Sequence, residues 1–257
     1  MHWYLYVGVV AAGFAAGFIN TVAGSGSLLT LPLLIYLGLP PTVANGTNRV
    51  GILLQNLVST ISFRQQKVLS IREGLAPTIP AIAGWLLGAR IAVNLDEQMM
   101  ERAIAFLLLV MLVVMLVKPD RWLRGHSEDR QRRIGPKEVL LFFAIGIYGG
   151  FIQAGVGVFL LAALVLGAGY DLVRANGLKV MIIFFATAFA LVVFVANGQV
   201  DWVIGLVLAL GNTLGALAAS RLSVKRGAPF IRWFLIAVIV VSSMDMLGIL
   251  DWIGGLF

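Results

Sequence analysis

The sequence predicts an all-α integral membrane protein, a polytopic helical bundle built from two inverted-topology repeats. Three observations point there. Of the 257 residues, 60% are hydrophobic and only 12% charged, and the mean hydropathy is +0.97; an ordinary soluble domain carries about 25% charged residues. Apolar runs recur along the whole chain, most of them near the ~20 residues that cross a hydrocarbon core of ~30 Å. The two halves of the chain also repeat one another. The alternating pattern of a transmembrane barrel is absent, and helices satisfy every backbone group internally.

Taken in order, apolar segments lie at 3–23, 26–38, 42–63, 73–93 and 97–117, then at 138–154, 157–169, 173–194, 203–221 and 232–250. The first could be read as a signal peptide, but it lacks a basic leading region and its end recurs in the second half, so it belongs to the fold. Segments 26–38 and 157–169 are the shortest of the set. At ~20 Å of helix they are too short to span comfortably and read as short or half-depth helices. The count is therefore about eight to ten membrane segments, two of them short or broken. Residues 1–117 form the first repeat and 138–257 the second. The polar stretch Lys118–Lys137 between them is a linker.

The halves align in the register that sets Gly24 on Gly155. In that register Gly26 falls on Gly157, Gly38 on Gly169, Ala44-Asn45-Gly46 on Ala175-Asn176-Gly177, Phe63 on Phe194, Gly74 on Gly205, Gly84 on Gly215 and Arg90 on Arg221. A small gap brings Gly17-Phe18-Ile19-Asn20 onto Gly150-Phe151-Ile152-Gln153. The linker holds seven Lys or Arg, which places it in the cytoplasm. Stretch 64–72 is then inside and acidic 94–98 outside. In the second half, 195–202 has no basic residue while 221–232 is rich in them, so corresponding loops face opposite sides. Many secondary transporters are built this way. Trp3, Trp122, Trp202, Trp233 and Trp252 lie near span ends, as in an interfacial belt, whereas Trp85 is expected between helices.

The +7 net charge lies mostly in loops, where it reflects orientation rather than nucleic-acid binding. With no cysteine, thiolate chemistry and disulfides are excluded. His2 and His126 lie outside the spans, so no base is placed to activate Ser25 or Ser27 as in an intramembrane hydrolase. No metal-ligand cluster, nucleotide motif or potassium-type filter is present, and no catalytic residue, metal or cofactor is expected.

What remains is glycine, small polar side chains and two cations. Gly24-Ser25-Gly26-Ser27 and Gly155-Val156-Gly157 each end one apolar segment and open a short one. They could serve only tight helix packing. Their recurrence at matching points instead suggests helix starts whose exposed N–H groups receive an anion. Arg49 and Lys179 each lie ~10 Å into a full-length span. They could snorkel to the headgroups; otherwise each must face a cavity or a partner. Asn45, Thr47, Asn48 and Asn176 are close by in sequence, and Asn20 and Gln153 precede the breaks. Asp245 is the main intramembrane acid, towards the outer end of the last span. Unless Asp171 or Glu73 folds inward, two cations without an acid suggest an anionic ligand.

The stretch "GFINTVAGSGSLLTLPLLIYLGLPPTVANGTNRVG" resembles the first-repeat signature of the TauE/SafE, or sulfite exporter, family. "GGFIQAGVGVFLLAALVLGAGYDLVRANGLK" is similar to its weaker second-half echo. The resemblance covers nearly the whole chain. It implies a multi-pass transporter of the bacterial inner membrane, often an exporter, for sulfur-containing anions such as sulfite, sulfoacetate, thiosulfate or a sulfonate. The family motif lands on Gly24, Gly26, Pro32, Asn45, Gly46, Thr47, Asn48, Gly155, Gly157, Asn176 and Lys179. Here "GSGS" stands where many members carry three or four glycines. The expected partners are a small anion and the lipid bilayer; a homo-oligomer is left open. Alternating access around a midplane site is the expected mechanism. An anion channel or uniporter on this scaffold, or a subunit without transport, are the other readings.

Overall fold

The computed structural model describes residues 3–117 and 134–246. Their regular structure is helical: α1 (Trp3–Ala23), α2 (Ser27–Tyr36), α3 (Pro41–Gln65), α4 (Ile71–Val93), α5 (Glu97–Val117), α6 (Pro136–Phe151), α7 (Val156–Ala162) with a π-helical turn at Ala163–Gly167, α8 (Leu172–Ala196) and α9 (Trp202–Met246). Four stretches among the described residues are long and apolar enough to cross a membrane: Leu5–Ala23, Ile71–Val93, Leu172–Ala196 and Trp202–Ile231. This is a multi-pass helical membrane protein.

The two short segments form as expected, as α2 and as α7 with its π-helical turn; neither exceeds 17 residues. Glycine explains why the chain breaks before each. Gly24 (φ 82°) and Gly155 (φ 70°) take left-handed backbone that other residues adopt only at a cost. Gln153 (φ 67°) shares that conformation without being glycine, a strained position at the second break.

Two helix pairs frame the molecule: α1 lies along α9, and α6 along α4. Small residues set both crossings. A Cβ on Gly84 or Gly150 would collide with main-chain atoms of the facing helix, Phe143 O and Trp85 O respectively, and Gly17 and Gly215 do the same for α1 and α9. Trp85 is fully buried in the α4–α6 crossing, as expected, whereas Trp202 and Trp233 are exposed. Inside these pairs run α3 and α8, packed against each other, with α3 also on α9 and α8 on α4.

The structure differs from the sequence expectation in two places. α3 is too polar to count as an apolar span, because it buries Thr42, Asn45, Thr47, Asn48, Arg49, Gln55, Asn56, Ser59 and Ser62 against other helices. The loop expected at 221–232 is helical, interrupted only by Gly227 (φ 68°, ψ −164°) before Pro229. Its Arg221, Lys225 and Arg226 are exposed, as side chains at a membrane edge can be. α4, Ile71–Val93, agrees with the expected segment 73–93 and accommodates Pro77 and Pro80 within it. Of the linker, residues 118–133 lie outside the described residues, as do Trp122 and Trp252.

Candidate functional site

Helix ends leave four carbonyls without an intrahelical partner, and a buried end needs those groups satisfied. α1 and α6 both end inside the protein, at the two glycine breaks. The cations of α3 and α8 meet these ends in exchange. Arg49, on α3 of the first half, caps α6 of the second. Its Nη2 donates to Gly150 O (2.6 Å) and Phe151 O (3.3 Å), and its Nη1 donates to Gly149 O (3.3 Å). Lys179, on α8 of the second half, caps α1 of the first, its Nζ donating to Thr21 O (2.9 Å) and Asn20 O (3.2 Å). A cation at a helix C-terminus opposes the partial negative charge there. Neither side chain snorkels; both are fully buried.

Neighbouring groups complete the Arg49 end. Asn45 Nδ2 donates to Phe151 O (2.8 Å), and Asn45 Oδ1 accepts from Arg49 Nη2 (3.4 Å). Gln153 Oε1 accepts from Arg49 Nη1 (3.3 Å), while its Nε2 donates to Thr187 Oγ1 (2.6 Å). The guanidinium carbon lies 4.4 Å from the Phe194 ring centre, within cation–π range. The Lys179 end is barer. Asn176, three residues earlier on the same helix face, is fully buried, and neither its Oδ1 nor its Nδ2 has a partner. Arg49 Nε and Ser25 Oγ are likewise buried and unpaired.

The glycine breaks meet face to face. A Cβ on Gly24 would collide with Cα of Gly157, and one on Gly157 with Cα of Gly24. Backbone touches backbone where the two breaks meet. Gly26 is also closed, since a Cβ would strike Ala16 O. Ser27, at the start of α2, is buried.

Two of the expected residues have other work. Thr47 Oγ1 accepts from Asp201 N (2.8 Å), which holds the turn entering α9. Asn48 Oδ1 accepts from Thr30 Oγ1 (2.7 Å), which ties α2 to α3. Neither acid folds inward: Glu73 is exposed, and Asp171 caps α8 through Val173 N and Arg174 N (3.0 Å each) and pairs with exposed Arg174. Among the described residues no carboxylate pairs with Arg49 or Lys179; the side chain of Asp245 lies outside them.

The sequence reading missed Thr21, Thr30, Ser59, Thr187 and Phe194. Phe194 alone had a signal, its match to Phe63 across the halves. The hydroxyls lie among apolar or small residues, and only the packing shows that each is buried with a polar partner: Thr21 with Ser59, Thr30 with Asn48 and Thr187 with Gln153.

The model of a family described as sulfite exporter TauE/SafE matches residues 9–246. Among curated proteins, the chain is 29% identical to a probable membrane transporter protein ORF9 of Sinorhizobium sp over 95% of this chain and 93% of the relative. It is 29% identical to probable membrane transporter protein YfcA of Escherichia coli K12, over 93% and 90%. A third relative, probable membrane transporter protein YjnA of Bacillus subtilis, is 23% identical over 94% and 99%. No solved structure matches. With the family model matching almost the whole chain, this chain belongs to the sulfite exporter TauE/SafE family.

Proposed function

We propose that the protein is a secondary transporter of a small sulfur-containing anion, such as sulfite, thiosulfate or a sulfonate, in the bacterial inner membrane. The observation that carries this reading is the pair of fully buried cations held by helix-end carbonyls rather than carboxylates. Carbonyl dipoles of a helix end amount to about half a charge. Each full positive charge is thus only partly offset, and an anion supplies the rest. The unpaired Arg49 Nε, Asn176 amide and Ser25 hydroxyl are neutral or charged donors free to complete its shell. The names of the family and of the relatives, which are those of transporters, agree with this reading.

The proposed site gathers Asn20, Ser25, Ser27, Asn45, Arg49, Gln153, Asn176 and Lys179; the close-packed breaks at Gly24, Gly26, Gly155 and Gly157 form its backbone wall, and Thr47 and Asn48 brace α3 behind it. Residues 1–117 and 138–257 act as inverted repeats joined by the basic cytoplasmic linker. Because each cation reaches into the opposite half, a movement of one half against the other exchanges carbonyls for anion, which is alternating access in its simplest form.

The test is flux in proteoliposomes loaded with sulfite, thiosulfate, sulfate or a short alkyl sulfonate. Saturable, protein-dependent movement of a sulfur oxyanion is expected. Absence of flux for all four sinks the transport reading, and flux at channel rates without counter-transport replaces the carrier with a channel.

A further inference from the structure

Outside the anion site, one buried polar cluster has no role so far. Gln55 on α3 and Asn212 on α9 are each 1% exposed. Neither amide atom of Gln55 has a partner, nor has Asn212 Oδ1. Gly51 lets Asn212 approach the face of α3 that carries Gln55. A Cβ there would lie 2.6 Å from Asn212 Nδ2, so the missing side chain admits the Asn212 amide against α3. Gln55 is one turn further on, and a helical side chain leans back over the preceding turn. α1 closes the third side, where a Cβ on Gly13 would lie 3.2 Å from Asn212 Oδ1.

The second half provides an internal comparison. In the register that sets Gly24 on Gly155, Gln55 falls on Ala186, Asn212 on Ala81 and Gly51 on Ile182. Both alanines are fully buried in an apolar core. The duplicated scaffold therefore packs this crossing dry on one side, and the amides are not needed for the fold. Buried polar groups without partners are costly and mark sites that something else completes.

We infer that Gln55 and Asn212 form a binding site for a small monovalent cation of the sodium type. Their two carbonyl oxygens are hard ligands without formal charge, whereas divalent ions call for carboxylates. Water in the ion's shell accepts from Gln55 Nε2. The inference concerns binding of the ion alone and stands whether or not the carried anion is a sulfur oxyanion.

The experiment is thermal unfolding of the purified full chain in sodium, potassium or choline chloride at equal ionic strength, with no added anion substrate. Sodium is expected to raise Tm by about 3 °C or more over choline, saturably. Gln55→Ala and Asn212→Ala, each installing the residue the other half already carries, are expected to fold and to lose that shift. Equal Tm in sodium and choline for the wild type overturns the inference and leaves ordered water only. An undiminished shift in both variants overturns the assignment of these residues.

Discussion

At the scale of single residues, Arg49 does two jobs with one side chain. It satisfies the buried carbonyls of Gly149, Gly150 and Phe151, and it brings a positive charge that those dipoles do not cancel. Arg49→Ala strands the carbonyls in an apolar interior, where unmet groups cost about 1–3 kcal/mol each. The variant is expected to unfold at lower temperature and to carry no anion, with Arg49→Lys recovering part of the thermal stability. Glycine offers a sharper comparison. Gly24→Ala meets both positive φ and the Cα of Gly157, and is expected to abolish assembly of the folded protein. Gly38→Ala also has positive φ (91°), but the added Cβ meets open space, so it should cost only about 1 kcal/mol. Size-exclusion profiles and melting curves of the two variants check this. The breaks, the cations and the scarcity of intramembrane acids are legible in the sequence because glycine and charge are conspicuous in an apolar chain. That each cation serves the other half's helix end is not, since capping between residues so far apart in the chain leaves no local pattern.

Elements follow the same division. α2 and the α7 segment were readable from length alone, being too short for ~30 Å of hydrocarbon. α3 was read as a span although its polar face lowers its hydropathy; burial of that face between α8 and α9 is what keeps it in place. The charges of 221–232 predict a loop, yet exposed Arg221, Lys225 and Arg226 sit on a helix that only Gly227 interrupts. Charge reports which side of a membrane a segment faces, and it does not forbid helix. Packing of the framing pairs is a direct consequence of small residues. Gly150→Leu drives a side chain into Trp85 on α4 and is expected to prevent folding, whereas Leu140→Ala, on the outward face of the same helix at 68% exposure, should leave expression and melting nearly unchanged. Comparing detergent-solubilised yield of the two variants checks it.

For the whole molecule, the proposed alternating access requires the two halves to face opposite ways across the membrane. Lys67 (φ 59°) and Gly198 (φ 68°) end α3 and α8 and correspond in the same register of the two halves. The chain has no cysteine, so Lys67→Cys and Gly198→Cys report without background. A membrane-impermeant maleimide is expected to label Gly198→Cys from outside intact cells and Lys67→Cys only after permeabilisation. Labelling of both from one side removes the inverted arrangement. The most direct test of the central claim separates charge from capping. Arg49→Gln and Lys179→Gln keep N–H donors for the helix-end carbonyls and remove the positive charge. Anion binding to the purified variants is measured by thermal shift with the best-transported sulfur oxyanion. The expected result is a folded protein in both cases, with the anion-dependent rise in Tm reduced at least tenfold in apparent affinity. Wild-type affinity in both variants would contradict the account and leave Arg49 and Lys179 as structural caps alone.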